Sequence, residues 1–111
     1  MPHDADATEL GRFAEPAMLV LVSLSSGPKH GYAIMADVGG FGTGGIGPGT
    51  LYAVLARLEQ AGLIEGLESD DRRRPYRLTA HGASALAARL DQIGQFVSIG
   101  RTRLGREGSD A

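Results

Sequence analysis

The residues from Gly39 to Gly49 read "GGFGTGGIGPG", seven glycines in eleven positions. Inside them "GTGGIG" (Gly42, Gly44, Gly47) satisfies G-x-G-x-x-G, the spacing that lets a backbone turn tightly enough to cradle a pyrophosphate. That chemistry needs a strand before the turn, a helix behind it and an acidic residue about 20 positions on to hold a ribose. Glu65 stands near that distance. The residues ahead of the glycines, however, pattern as a short helix, and no second parallel strand with a crossover follows. So many glycines produce the match easily by chance. The run is therefore read as a tightly turned connection between two helices, not as a nucleotide site.

The second chemical signal is charge. Arg72, Arg73, Arg74 and Arg77 fall within six positions, and Arg101, Arg103 and Arg106 sit near the end, while Asp4, Asp6 and Glu9 gather at the start. Charge runs are ordinarily solvated surface. Even so, a chain of net charge −2 can present one basic edge. His3, His30 and His81 have no metal-ligand spacing, and with no cysteine there is no thiolate site, disulfide or thiol nucleophile. No nucleophile–base pair and no paired carboxylates stand out, so an enzyme, a cofactor or a metal is not expected.

The chain of 111 residues suits one domain, and 42% hydrophobic with 22% charged residues is ordinary for a globular fold. No apolar run approaches the roughly 20 residues that span a bilayer. Acidic residues stand at the N-terminus where a signal peptide would carry basic ones. A cytoplasmic chain without a membrane partner is expected.

The elements that must position these residues follow from periodicity. Residues 1–14 read as a polar tail, with a helical turn around Leu10 and Phe13. Pro16 opens a first helix whose run "AMLVLVSL" is apolar on nearly every face and so should be buried, and "SSGP" ends it. A short second helix covers Tyr32 to Val38. Leu51, Val54, Leu55 and Leu58 then give the i, i+3, i+4, i+7 stripe of a third helix, with Pro48 at its first position and Gly62 just past its end. Ile64–Leu67 and Tyr76–Leu78 read as two strands of a hairpin with a charged tip, Glu68 to Arg74. Thr79 is placed to cap a last helix running to about Leu104. Leu86, Leu90, Ile93 and Val97 are spaced four, three and four, a heptad-like seam that continues to Leu104 and has Phe96 beside it.

Three helices and a hairpin are the plan of a winged helix-turn-helix, in which the third helix enters the major groove and the hairpin lies along the backbone. With the aliphatic stripe inward, Gly49, Ala53, Ala56 and Gln60 face out, flanked by Thr50 and Arg57. Small residues there permit close approach to a groove floor, although alanine is also simply a good helix former.

The runs "GPKHGYAIMADV", "GPGTLYAVLARLEQAGLIEG" and "RRRPYRLTAHG" resemble the PadR family of bacterial transcriptional regulators. The likeness covers about residues 15–104 and is similar to the short subfamily with a single C-terminal helix. It implies a mainly α fold with a small β-hairpin: residues 1–14 a tail, 15–79 the winged helix-turn-helix, 80–104 a dimerisation helix and 105–111 a tail. It also implies a homodimer on double-stranded DNA, usually a repressor, and for some members a small aromatic or lipophilic effector near the dimer interface. Gly47 stands where such sequences carry a capping serine, and glycine is a tolerated cap. Pro75 stands where an aromatic or basic residue is usual, so the second strand should begin after it.

The outer face and first turn of the third helix, the second helix and the hairpin tip offer Tyr32, Gly49, Thr50, Tyr52, Ala53, Arg57, Arg72, Arg73 and Arg74 as DNA contacts, and the seam, in agreement with the resemblance, offers Leu86, Leu90, Ile93, Phe96, Val97 and Leu104 as the dimer interface. Several of these have a second reading. Tyr52 could pack on the hairpin, and Tyr32 suits the core better than a contact. Arg57 could pair with carboxylates of the hairpin tip, and Arg77 could be a structural partner of Glu65 or Glu68. The groove-facing helix is poor in base-reading side chains. The alternative function is therefore a winged-helix module for protein association.

Overall fold

The computed structural model describes residues 9–11, 14–69 and 73–110, with side chains to Arg106. Four helices and three strands are present among them: α1 Pro16–Leu24, β1 Lys29–His30, α2 Gly31–Gly39, α3 Pro48–Gln60, β2 Ile64–Gly66, β3 Pro75–Leu78 and α4 Ala80–Asp110.

Helix α1 is the centre of the core. Pro16 fixes its first turn, and Met18, Leu19, Val20, Leu21 and Leu24 are buried around it. Its one buried polar side chain is satisfied, because Ser23 Oγ donates to Asp37 Oδ2 of α2 at 2.8 Å. Lys29 folds back over the end of α1, donating to the Ser23 carbonyl and, at 2.7 Å, to Ser26 Oγ. A cation here complements the negative end of the helix dipole.

Ile34 and Val38 turn α2 onto α1, and Leu51, Val54, Leu55 and Leu58 do the same for α3. Between the two helices the glycine run turns through positive φ at Gly42, Gly44 and Gly45, while Phe41 and Ile46 anchor it to the core. A helix precedes it, not a strand, so the pyrophosphate cradle has no framework. Gly47 caps α3 with its backbone alone. At the other end Gly62 takes φ +77°, Leu63 N–H bonds the Leu58 carbonyl and Gly62 N–H the Glu59 carbonyl, both at 3.0 Å. This paired closure satisfies carbonyls that a helix end leaves open.

The strands form one antiparallel sheet in the order β1-β3-β2. β1 has no counterpart in the sequence reading, since two residues carry no alternating pattern. Two strand bounds also differ from expectation. β2 ends at Gly66, and β3 begins at Pro75, which pairs with His30 and accepts a bond from Leu67 N–H at 2.8 Å. A proline is admissible as the first residue of a strand because its carbonyl still joins the ladder.

Thr79 caps α4: its Oγ1 accepts from Gly82 N–H at 2.9 Å and donates to the Gly62 carbonyl at 2.7 Å. The helix then runs past Leu104 to Asp110. Leu86 is buried in the core of its own chain, so the first residue counted in the seam is already used, and the outward seam begins at Leu90. Beyond it every described residue of α4 is exposed. The radius of gyration is 16.9 Å, against about 13 Å for a compact chain of this length, because this rod projects from the body.

Candidate nucleic-acid interface

Helix α3 hides its aliphatic stripe and leaves Gly49, Thr50, Tyr52, Ala53, Ala56, Arg57 and Gln60 exposed. Its first turn has no side-chain cap and no acidic residue, so backbone N–H groups and the positive end of the dipole face outward there. Arg57 makes no ion pair with a described carboxylate.

Beside α3 lies a recess of about 200 Å³, lined by His30, Gly31, Tyr32, Tyr52, Arg73, Arg74 and Tyr76. All three tyrosines of the chain meet here. Their convergence depends on β1, which pairs His30 with Pro75 and Lys29 with Tyr76 and so brings the start of α2 against the wing. Tyr32 is 70% exposed, which corrects its reading as a core residue. Ile34 and Val38 define the inward face of α2, and two residues from Ile34 is the opposite side of a helix. Tyr52 is 54% exposed, with the hydroxyl end of its ring over Gly31 and the wing residues Arg73, Arg74 and Tyr76 lining the same recess. His30 Nδ1 is buried and has no hydrogen-bond partner.

The arginines divide. Arg72 lies outside the described residues, as do Asp70 and Asp71 beside it. Arg73 is exposed and lines the recess. Arg74 does not extend freely: its Nη2 donates to Glu59 Oε2 at 3.0 Å, and its guanidinium lies 5.8 Å from the centroid of the Tyr76 ring. Arg74, one of the arginines expected at the wing, thus has a carboxylate partner on α3 and stays about half exposed. Arg77 pairs with Glu65 directly across the β2–β3 register, one of the two partners expected for it. Sequence reasoning missed His30, Tyr76 and Glu59 at this site. "KHGYA", "RLE" and "RPYRL" held them in view, but only the strand pairing shows what they face.

A second, apolar pocket of about 250 Å³ lies between α1, the glycine turn and α4. Met18, Leu19, Val22 and Phe41 face Leu90 and Ile93 across it, and Thr43 Oγ1, buried and without a partner, is its polar mark. Phe96 is 77% exposed and does not line it.

Residues 20–88 match the family model of the transcriptional regulator PadR-like family. The chain belongs to that family. A curated relative of this PadR-like chain is an uncharacterised 37.1 kDa protein in a transposon, TN4556, of Streptomyces fradiae, 45% identical over 75 residues. The match takes in 68% of this chain and 22% of that protein, so the PadR-like chain spans about a fifth of its relative's length. Among solved structures, a PadR family transcription regulator from Clostridium difficile superposes with a TM-score of 0.74 at 23% identity, over 82% of this chain and 99% of that one. A PadR-like transcriptional regulator from Bacillus cereus gives 0.71 at 22%, over 79% and 89%. RosR of H. salinarum gives 0.67 at 27%, over 88% and 92%. These likenesses agree with the winged-helix fold. No helix among the described residues is long and apolar enough to cross a membrane.

Proposed function

We propose that this PadR-like chain binds double-stranded DNA as a homodimer and represses transcription from a palindromic operator. In this reading α3 enters the major groove through its small outer residues, Gly49, Ala53 and Ala56. Thr50 and Arg57 reach the groove wall or a phosphate. Tyr32, Tyr52 and Arg73 rim the recess beside α3 and take the adjoining backbone phosphates. The observation that carries the reading is that recess, where hydroxyl and guanidinium donors from three separated stretches of chain converge next to a helix whose outer face is nearly bare. Phosphate contacts of this kind orient a protein on the duplex, and a few base contacts then supply sequence preference.

The two-fold partner is a second copy, joined through Leu90, Ile93, Val97 and Leu104 of α4. The apolar pocket with the unpartnered Thr43 hydroxyl suits a small lipophilic or aromatic effector carrying one hydrogen-bonding group. It touches both α4 and the connection into α3, so an occupant there would alter how the reading helix is held. Selection of bound genomic fragments, followed by titration of the recovered duplex at two salt concentrations, tests the proposal. Affinity should fall steeply with salt, since each neutralised phosphate contributes about 0.9 to the log–log slope. Absent or salt-insensitive binding would favour the protein-association module, which the scarcity of base-reading side chains on α3 keeps in contention.

A further inference from the structure

Glu59 stands one residue before the end of α3, and its Oε2 accepts two bonds. One comes from Gly66 N–H at 3.1 Å, at the end of β2; the other comes from Arg74 Nη2 at 3.0 Å, where the chain returns into β3. The two sides of the wing stem, eight residues apart, are thus fastened to the same oxygen of the recognition helix. The packing around this oxygen is close. The Arg74 guanidinium lies over Gly66 so tightly that a Cβ at that position would collide with it, and it also stands over the Tyr76 ring, 5.8 Å from the centroid. β2 is an edge strand, so Gly66 N–H would otherwise have no partner in the sheet.

We propose that Glu59 and Arg74 are positioning residues: a carboxylate–guanidinium brace, closed over Gly66, that sets the angle of the wing against α3. The inference rests on the DNA-binding reading for its consequence, but the brace itself is independent of that reading. Arg74 acts through where it holds Arg73 and Tyr76. Its own charge is met by Glu59, so it adds little attraction to a phosphate.

The test has two arms. In the first, backbone hydrogen exchange is followed on the whole chain without DNA for wild type, Glu59→Ala, Glu59→Gln and Arg74→Ala. Glu59→Ala and Arg74→Ala should speed exchange at Gly66 and along β3 while leaving α1 and α3 protected. Glu59→Gln, which keeps an acceptor for Gly66, should show the smaller effect. Unchanged exchange at Gly66 and β3 in both alanine variants overturns the brace, whatever the protein binds. In the second arm, affinity for a selected duplex is measured across a salt series. Glu59→Ala and Arg74→Ala should each weaken binding about tenfold with the salt slope unchanged, and the double variant should be no worse than either, as for residues acting as one unit. A slope reduced by about 0.9 in Arg74→Ala, or additive losses, would make Arg74 a phosphate contact and overturn the positioning role. If wild type binds no duplex while the first arm loosens as expected, the DNA reading fails and the brace stands as a wing anchor.

Discussion

The hydroxyl of Tyr52 lies 2.7 Å from where a Cβ on Gly31 would stand, and the ring carbon that carries it lies at 3.0 Å. Gly31 opens α2 with an ordinary backbone, so glycine is needed there for what lies over it rather than for its own φ. The aromatic ring of the third helix is seated by the absence of a side chain on the second.

This seat gives a first prediction. In Gly31→Ala the new methyl group meets the far end of a half-exposed side chain, which is free to swing aside. Unfolding free energy should therefore change by less than about 1 kcal/mol, a helix-favouring alanine offsetting part of the clash. The loss should appear instead in affinity for duplex DNA, because Tyr52 leaves the recess. Urea unfolding and a binding titration on the same variant separate the two. A large fall in stability with intact binding would contradict the argument.

The body of the fold was legible in the sequence because its signals are local. The Leu51–Leu58 stripe, Gly62 beyond the helix end and the Thr79 cap each depend on neighbours within a turn or two. The recess was not legible. It is assembled by the pairing of His30 with Pro75, and a two-residue strand has no periodicity to betray it. The Arg74–Glu59 pair was not legible for the same reason: the two stand fifteen residues apart and meet only once the wing is folded back. Tyr32 went astray because hydrophobic type was weighed above helical phase.

Thr79 carries a second prediction. Its one hydroxyl caps α4 and also ties that helix to Gly62 at the end of α3. Thr79→Ala should cost about 1–2 kcal/mol, the range of a lost N-cap. Thr79→Ser, which keeps both bonds, should stay within about 0.5 kcal/mol of wild type. Denaturant midpoints of the two variants decide it.

Gly82 and Gly39 make a contrasting pair. A Cβ on Gly82 would drive into the Leu63 carbonyl and stand 2.9 Å from Leu78 Cδ1, and the carbonyl is main chain that cannot rotate away. Gly82→Ala should therefore lose about 3 kcal/mol or fail to accumulate, the upper end of overpacking costs. Nothing lies within 4 Å of a Cβ on Gly39, the exposed last residue of α2. There the same substitution should add about 0.5–1 kcal/mol by removing glycine's excess entropy in the unfolded chain. Equal effects at the two sites, read from thermal or urea unfolding, would refute this account of close approach.

The seam of α4 yields the last prediction. Leu90, Ile93 and Val97 are 46%, 38% and 45% exposed, so covering them gains about 1 kcal/mol each, or about 6 kcal/mol from two copies. A micromolar dimer needs about 8 kcal/mol after the cost of association is met. The deficit falls to Phe96 and Leu104, 77% and 70% exposed, which have the most apolar surface left to bury. Sedimentation should therefore find a dimer in wild type, with a melting temperature that climbs with protein concentration. Ile93→Glu should give a folded monomer whose melting temperature no longer does so. Phe96→Ala should raise the dimer dissociation constant at least about tenfold, as truncation of an aromatic anchor commonly does. Leu86→Ala should behave differently, because Leu86 packs inside its own chain. It should lower the stability of each copy by about 2–5 kcal/mol while the surviving folded protein still dimerises. If Leu86→Ala dissociated the dimer and Ile93→Glu did not, the two copies would have to meet on some face other than the outward seam.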